Sequence, residues 1–258
     1  MISSSVKLPK NMKHSRILKT TAAVTLSSML FAGMAHATLI WNGSASLGLG
    51  VFKNLNIQDS GGTYQGNPSP NGSFVQVVDD PTYGSIWQFY KDDNDRRSEA
   101  HGAAGFNPAI GDTYYIGWGF KLTSTVNNNA IFQWKSYGSP MVQNFPLVIK
   151  MVNGNLELHY FPPNSGDVVL WSHAVSANTW YKLYLRIKVS DQTSGGSVSF
   201  WFNGTQQTLS NGSTSYTGKT FDGSSVDPKW GIYGAVGTKL SDYVRHLRIG
   251  TALSDVTF

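Results

Sequence analysis

Beyond residue 37 no long stretch spaces its apolar residues for a helix. Instead, short runs rich in Val, Ile, Tyr, Phe and Trp recur between clusters of Gly, Asn, Ser and Pro. Such a chain buries apolar surface by pairing strands. Strands are predicted at Phe74–Val78, Ser85–Lys91, Arg96–His101, Tyr114–Leu122, Ala130–Tyr137, Leu147–Val152, Asn155–Phe161, Val168–Ser172, Trp180–Val189, Ser197–Phe202, Lys229–Ala235 and Tyr243–Ile249. That many strands in one chain imply an all-β, two-sheet antiparallel sandwich. Asn153-Gly154 and Asn203-Gly204 sit between paired runs, and Asn-Gly supplies the positive φ angles of a hairpin turn. The Gly/Pro/Ser-rich stretch 60–73 reads as a surface loop.

The first 37 residues have another character. Lys7, Lys10, Lys13, Arg16 and Lys19 precede an apolar run from Thr21 to Met34 that ends in Ala35-His36-Ala37. This is the pattern of a secretory signal with a small-residue cleavage site, leaving one domain at 38–258 and a secreted or periplasmic protein. Removing it takes five basic and no acidic residues from a chain with 20 and 15, so the remainder is formally neutral. A basic nucleic-acid surface is therefore not expected, nor is a membrane partner, and the protein is read as a monomer. Cysteine is absent, which excludes disulfides and thiolate chemistry.

Hydrolysis of a glycosidic bond calls for two carboxyl groups flanking it, yet the chain has two Glu, Glu99 and Glu157, and neither sits in an acidic constellation. Three strands do carry polar residues at a spacing of two, which puts them on one face. Arg97, Glu99 and His101 form one set; Ile131, Gln133 and Lys135 a second; Lys229, Gly231 and Tyr233 a third. Singly, each has a plain structural reading. Arg97 and Glu99 could be a same-face ion pair, His101 a surface histidine, Gln133 and Lys135 exposed sheet residues, and Tyr233 an aromatic at the core's edge.

Together, Arg97-Ser98-Glu99, Phe132-Gln133-Trp134-Lys135 and Lys229-Trp230-Gly231-Ile232-Tyr233 resemble, in order and approximate spacing, the site strands of jelly-roll polysaccharide lyases. The likeness runs from about Phe74 to the end. It is greatest to the glucuronan lyases of polysaccharide lyase family twenty, with alginate lyases and heparin lyase I more distant. The resemblance implies a β-jelly roll that cleaves a uronate polymer by β-elimination. Tyr233 would be the acid and potentially the base, His101 a base or orienting group, and Gln133 the partner of the substrate carboxylate. Arg97, Lys135, Lys229 and Glu99 would bind substrate. His101 stands where alginate lyases carry a second Arg, and Lys135 where they carry a His, which favours glucuronan over alginate. The rivals are an alginate lyase, a non-catalytic carbohydrate-binding module, and a hydrolase using Asp residues. No cofactor is required for such an elimination. A structural calcium would fall in the Asp92-Asp93-Asn94-Asp95 loop, although its spacing matches no defined calcium motif.

Overall fold

A computed structural model describes residues 1–5 and 37–258. The signal expected at 1–37 lies almost wholly outside the described residues. From residue 37 on, the chain forms β1 (Leu39–Asn42), β2 (Phe52–Asp59), β3 (Tyr64–Gln65), β4 (Phe74–Asp80), β5 (Gly84–Lys91), β6 (Asp95–Ala103), β7 (Thr113–Leu122), β8 (Asn129–Tyr137) and β9 (Leu147–Val152). It continues through β10 (Asn155–Tyr160), β11 (Val168–Ala174), β12 (Tyr181–Lys188), β13 (Ser197–Phe202), β14 (Thr205–Gln206), β15 (Tyr216–Thr217), β16 (Ser225–Gly234) and β17 (Leu240–Gly250). Helix is confined, among the described residues, to short 3₁₀ turns. None is long and apolar enough to cross a membrane.

The strands build two antiparallel sheets, the jelly-roll sandwich anticipated above. One sheet runs β14-β13-β12-β7-β17-β5-β4, with β1 on β17 and β15 on β13; the other runs β11-β10-β9-β8-β16-β6-β2-β3. Alternation sends Phe132, Trp134, Trp230, Ile232 and Ala100 of the eight-stranded sheet inward to meet Ile116, Trp118 and Phe120 of the nine-stranded one. Trp118 stacks on Phe132 at 5.0 Å, and Trp41 on Trp230 at 5.4 Å. Aromatic pairs of this kind bury large areas in favourable geometry, so the two sheets are held in fixed register. Asn153-Gly154 and Asn203-Gly204 both take positive φ angles between paired strands, as expected.

Stretch 60–73 departs from a plain surface loop. Ser69 and Ser73 are buried, and Ser69 Oγ and Asn71 Nδ2 donate to the two oxygens of Asp95. The neighbouring Asp-rich turn is organised around an internal cation. Lys91 is fully buried and its ammonium donates to the carbonyls of Asp92, Asp95 and Thr238 at 2.9–3.1 Å.

Candidate active site

The outer face of the eight-stranded sheet gathers the residues singled out in the sequence. β6 and β16 pair with His101 opposite Lys229, Glu99 opposite Gly231 and Arg97 opposite Tyr233; β8 places Gln133 opposite Lys229 and Lys135 opposite Asp227. His101, Lys229 and Gln133 thus form one row across three strands. Gly231 has φ 121°, and a Cβ there would lie 2.4 Å from the Ser98 carbonyl oxygen, so the middle of Lys-x-Gly-x-Tyr admits only glycine.

Glu99 is the hub. It is 2% exposed and accepts from Gln133 Nε2 at 2.5 Å, Lys229 Nζ at 2.9 Å and Arg97 at 3.3 Å. Lys229, itself 1% exposed, is also capped at 2.9 Å by the amide oxygen of Asn56 once that amide is oriented to satisfy its neighbours. Glu99 and Lys229 were expected to touch substrate. Both are instead buried and spend their charges on each other, and through Glu99 they fix Gln133 and Arg97. Lys229 directs its ammonium to Glu99 rather than to Tyr233.

Tyr233 stands at the other end of β16. Arg96 donates to its hydroxyl at 3.0 Å, and the Arg97 guanidinium lies over its ring at 4.1 Å. Gln133 and Tyr233 line one open cavity of about 280 Å³, whose other lining residues include Ala130, Phe145, Val148 and Phe161. His101 lies on the same face but outside that cavity. Its Nε2 is 3.3 Å from Asp227, close enough for an ion pair though not aligned as a hydrogen bond, and its ring stacks on Tyr137 at 4.8 Å. Asp227 is also held by Lys53 at 2.7 Å.

Lys135 is half-buried and hydrogen-bonds to Asn144 and to the Ser136 carbonyl, with no carboxylate within ion-pairing distance among the described residues. Burial, then the positive charges of Lys229 and Arg97, bring its pKa down to about 8, against a smaller opposing pull from Glu99. Burial, reinforced by Glu99 and Asp227, pushes the Tyr137 phenol up.

Two local irregularities escaped the alternation argument. Ile131, expected beside Gln133 on the outer face, is a core residue. Ala130 pairs with Lys150 but Phe132 with Ile149, so Ile131 is an extra residue that turns inward and lets Ala130 join Gln133 in the cavity. Arg96 is likewise extra on β6, because Gln58 pairs with Arg97 while Asp59 pairs with Asp95. Its phase along the strand points it at the core, and the bulge returns it to Tyr233. A charged residue at a core phase was the available signal. Asn56 was missed because β2 was not predicted at all: Asn is depleted in strands, yet Asn54, Asn56 and Gln58 alternate with Leu55 and Ile57. Asp227 and Tyr137 continue the outer rows of β16 and β8 by two residues.

The two glutamates do not make a hydrolase pair. Glu99 is saturated and buried, and Glu157 is occupied by His159 at 2.9 Å and by Ser172. What the outer face of this jelly-roll sandwich offers is cationic and amide donors around a phenol, an arrangement suited to acidic carbohydrate. A polysaccharide lyase family model matches residues 54–246, and the chain belongs to that family. Among solved structures, an endo-β-1,4-glucuronan lyase from the fungus Trichoderma reesei superposes with TM-score 0.55 at 19% identity, covering 80% of this chain and 98% of that one. A family 7 alginate lyase in complex with substrate gives 0.53 at 11% identity, covering 77% and 92%. A carbohydrate esterase from Shiga toxin-encoding bacteriophage phi24B gives 0.55 at 15%, covering 84% and 99%. At these identities the likeness is one of fold. No curated protein matches the chain.

Proposed function

We propose that this polysaccharide lyase cleaves a glucuronate polymer, glucuronan foremost, leaving a 4,5-unsaturated uronate at the new end. The observation that carries the reading is Gln133 and Tyr233 facing one cavity, with Arg96 and Arg97 at the phenol and Lys135, which meets no carboxylate among the described residues, two residues along β8 from Gln133. Elimination removes the proton on C5, and the substrate carboxylate must be neutralised before a carbanion can form next to it. Gln133 gives one amide hydrogen to Glu99 and keeps the second for that carboxylate, while Arg97 and Lys135 add positive charge.

In an all-equatorial glucuronate ring, O4 and the C5 hydrogen are gauche, so one group can reach both. Acting in its phenolate form, Tyr233 takes the C5 proton on the oxygen to which Arg96 donates. The electron pair forms the C4–C5 double bond, the C4–O bond breaks, and the proton passes to the departing oxygen. No cofactor is needed in this scheme, because protein donors supply the charge stabilisation. His101, held by Asp227 and Tyr137, orients the chain in the neighbouring subsite. Alginate is the second substrate to test.

The protein is proposed to act outside the cytoplasm as a monomer, after cleavage following Ala37. N-terminal sequencing of secreted material should read from Thr38. The decisive assay is ultraviolet absorbance of the conjugated double bond with glucuronan, alginate, hyaluronan, heparin and pectate. Signal on glucuronan supports the reading, and signal on another polymer alone refutes it.

A further inference from the structure

The outer face of the opposite, nine-stranded sheet carries a second basic cluster that catalysis does not use, two arginines beside a histidine whose pKa is lowered by burial and by their charges. Arg245, His246 and Arg248 border a small, enclosed cavity of about 140 Å³, together with Asn42, Ser44 and Tyr83. The cluster is a consequence of backbone register. Arg245 pairs with Gly119 and Arg248 with Gly117, so two residues, His246 and Leu247, face one on β7, and the bulge brings both arginines to the same side. Glycine at 119 is what lets Arg245 lie flat on the sheet: a Cβ there would stand 3.0 Å from Arg245 Cγ.

Among the described residues, no carboxylate lies within 4.0 Å of Arg245, His246 or Arg248, and none of the three side chains makes a hydrogen bond. Arg245 is only 9% exposed and its Nε–H is buried without an acceptor. Asp80, the acid whose field reaches Arg245, spends an oxygen on the backbone amides of Thr82 and Tyr83. The carbonyl of Phe258 is taken by Lys182. Leaving a buried guanidinium unpaired is costly. Tyr83, Phe258 and Trp180 offset part of that cost, lying 3.8, 5.0 and 5.1 Å from its Cζ. Aromatic contact does not, however, explain the orphaned Nε–H or the second free arginine.

We propose that this cluster is a non-catalytic binding site for an acidic glycan, with one uronate carboxylate held between Arg245 and Arg248. A water takes about 30 Å³, so the cavity has room for a carboxylate with little solvent but not for a whole polymer unit. The sugar ring therefore lies outside, against Tyr83 and Trp180, which meet edge to face at 5.5 Å. Farther along the same face Lys121 sits 5.0 Å from Trp180 and 4.8 Å from Tyr243, supplying a cation for the next acidic unit. The choice of glucuronate rests on the proposed function. A second attachment point on the far sheet raises the enzyme's residence on long chains without altering the chemistry at Tyr233.

The test uses the full chain carrying Tyr233→Phe, so that oligomers are not consumed. A glucuronate trisaccharide, an alginate trisaccharide, a neutral cellotriose and inorganic phosphate are each titrated while the Arg245 Nε–H and His246 ring resonances are followed. Saturable shifts with a uronate trisaccharide, weakened about tenfold or more by Arg248→Gln, are expected. No shift with either uronate, or equal shifts with phosphate, overturns the site. Arg248 is only partly buried, so its substitution spares the aromatic packing around Arg245. In the otherwise unaltered enzyme, Arg248→Gln should leave turnover of short oligomers unchanged and raise KM on long polymer several-fold; an unchanged polymer KM counts against the proposal. Shifts with alginate alone, together with cleavage of alginate alone, would refute the glucuronan reading and leave the second site standing.

Discussion

Gln133 Nε2 donates to Glu99 Oε1 at 2.5 Å, so the amide assigned to the substrate carboxylate is aimed by a buried one. The same carboxylate neutralises Lys229. Glu99→Gln should therefore destabilise by roughly 3–5 kcal/mol, the usual cost of stranding one half of a buried ion pair, and urea unfolding measures it. Replacing both partners, Glu99→Leu with Lys229→Met, should recover most of that stability while leaving turnover low, because Gln133 loses its orienting acceptor. Recovery of activity along with stability would show that the pair serves packing alone.

Tyr233→Phe removes one oxygen and keeps the ring beneath Arg97. Turnover should fall by roughly 10²–10⁴-fold, with a much smaller change in KM, since the group acts mainly in the transition state. Arg96→Gln should lower turnover by roughly tenfold or more. If Tyr233→Phe stays active and His101→Asn does not, the base is His101.

Lys135 gives the site a pH dependence with opposite signs for binding and stability. As pH rises through about 8 its charge is lost, so KM for an acidic polymer should climb on the alkaline side. Stability moves the other way. Between about 8 and the unfolded value of 10.5 the unfolded chain holds the proton that the folded chain has released, so this residue's contribution increases with pH. Lys135→Gln should flatten both trends, read from KM and denaturation midpoints at several pH values.

Asp242 lies far from this chemistry, fully buried in β17 with both oxygens lacking hydrogen-bond partners. Burial holds its pKa well above the usual carboxylate range; the nearby Lys121 backbone amide, not aligned as a hydrogen bond, opposes this without reversing it. A carboxyl whose folded pKa is raised loses stability as pH increases from the unfolded value near 3.8 toward the folded one. Asp242→Asn removes the titrating proton, so the decline of stability with pH above about 3.8 that this residue causes should disappear, read from denaturation midpoints across the acid-to-neutral range. A lower melting temperature in Asp242→Asn would show that the carboxyl has a role the static structure hides.

Strand positions and the shared face of Arg97, Glu99, His101, Gln133, Lys135, Lys229 and Tyr233 were legible because a period of two leaves a readable trace in residue type. Depth was not. Nothing in alternation distinguishes a polar residue in contact with solvent from one, like Glu99 or Lys229, sealed under its neighbours. Ile131 was misplaced, and Arg96 overlooked, for a different reason. Each is an unpaired residue in its ladder, and a bulge is decided by the partner strand, which a linear reading does not see. The Asn-rich β2 was passed over on composition although its alternation was intact.

The bulge at Arg96 carries one more consequence. A point substitution there changes a side chain and leaves the strand's frame alone. Deleting the residue closes the bulge and straightens β6, so that of Arg97 and the segment before it only one can keep its phase. Homologous lyases that differ by a single-residue gap at this place should thus differ in which arginine meets the phenol, and substrate preference could diverge through indels while every catalytic residue type is retained.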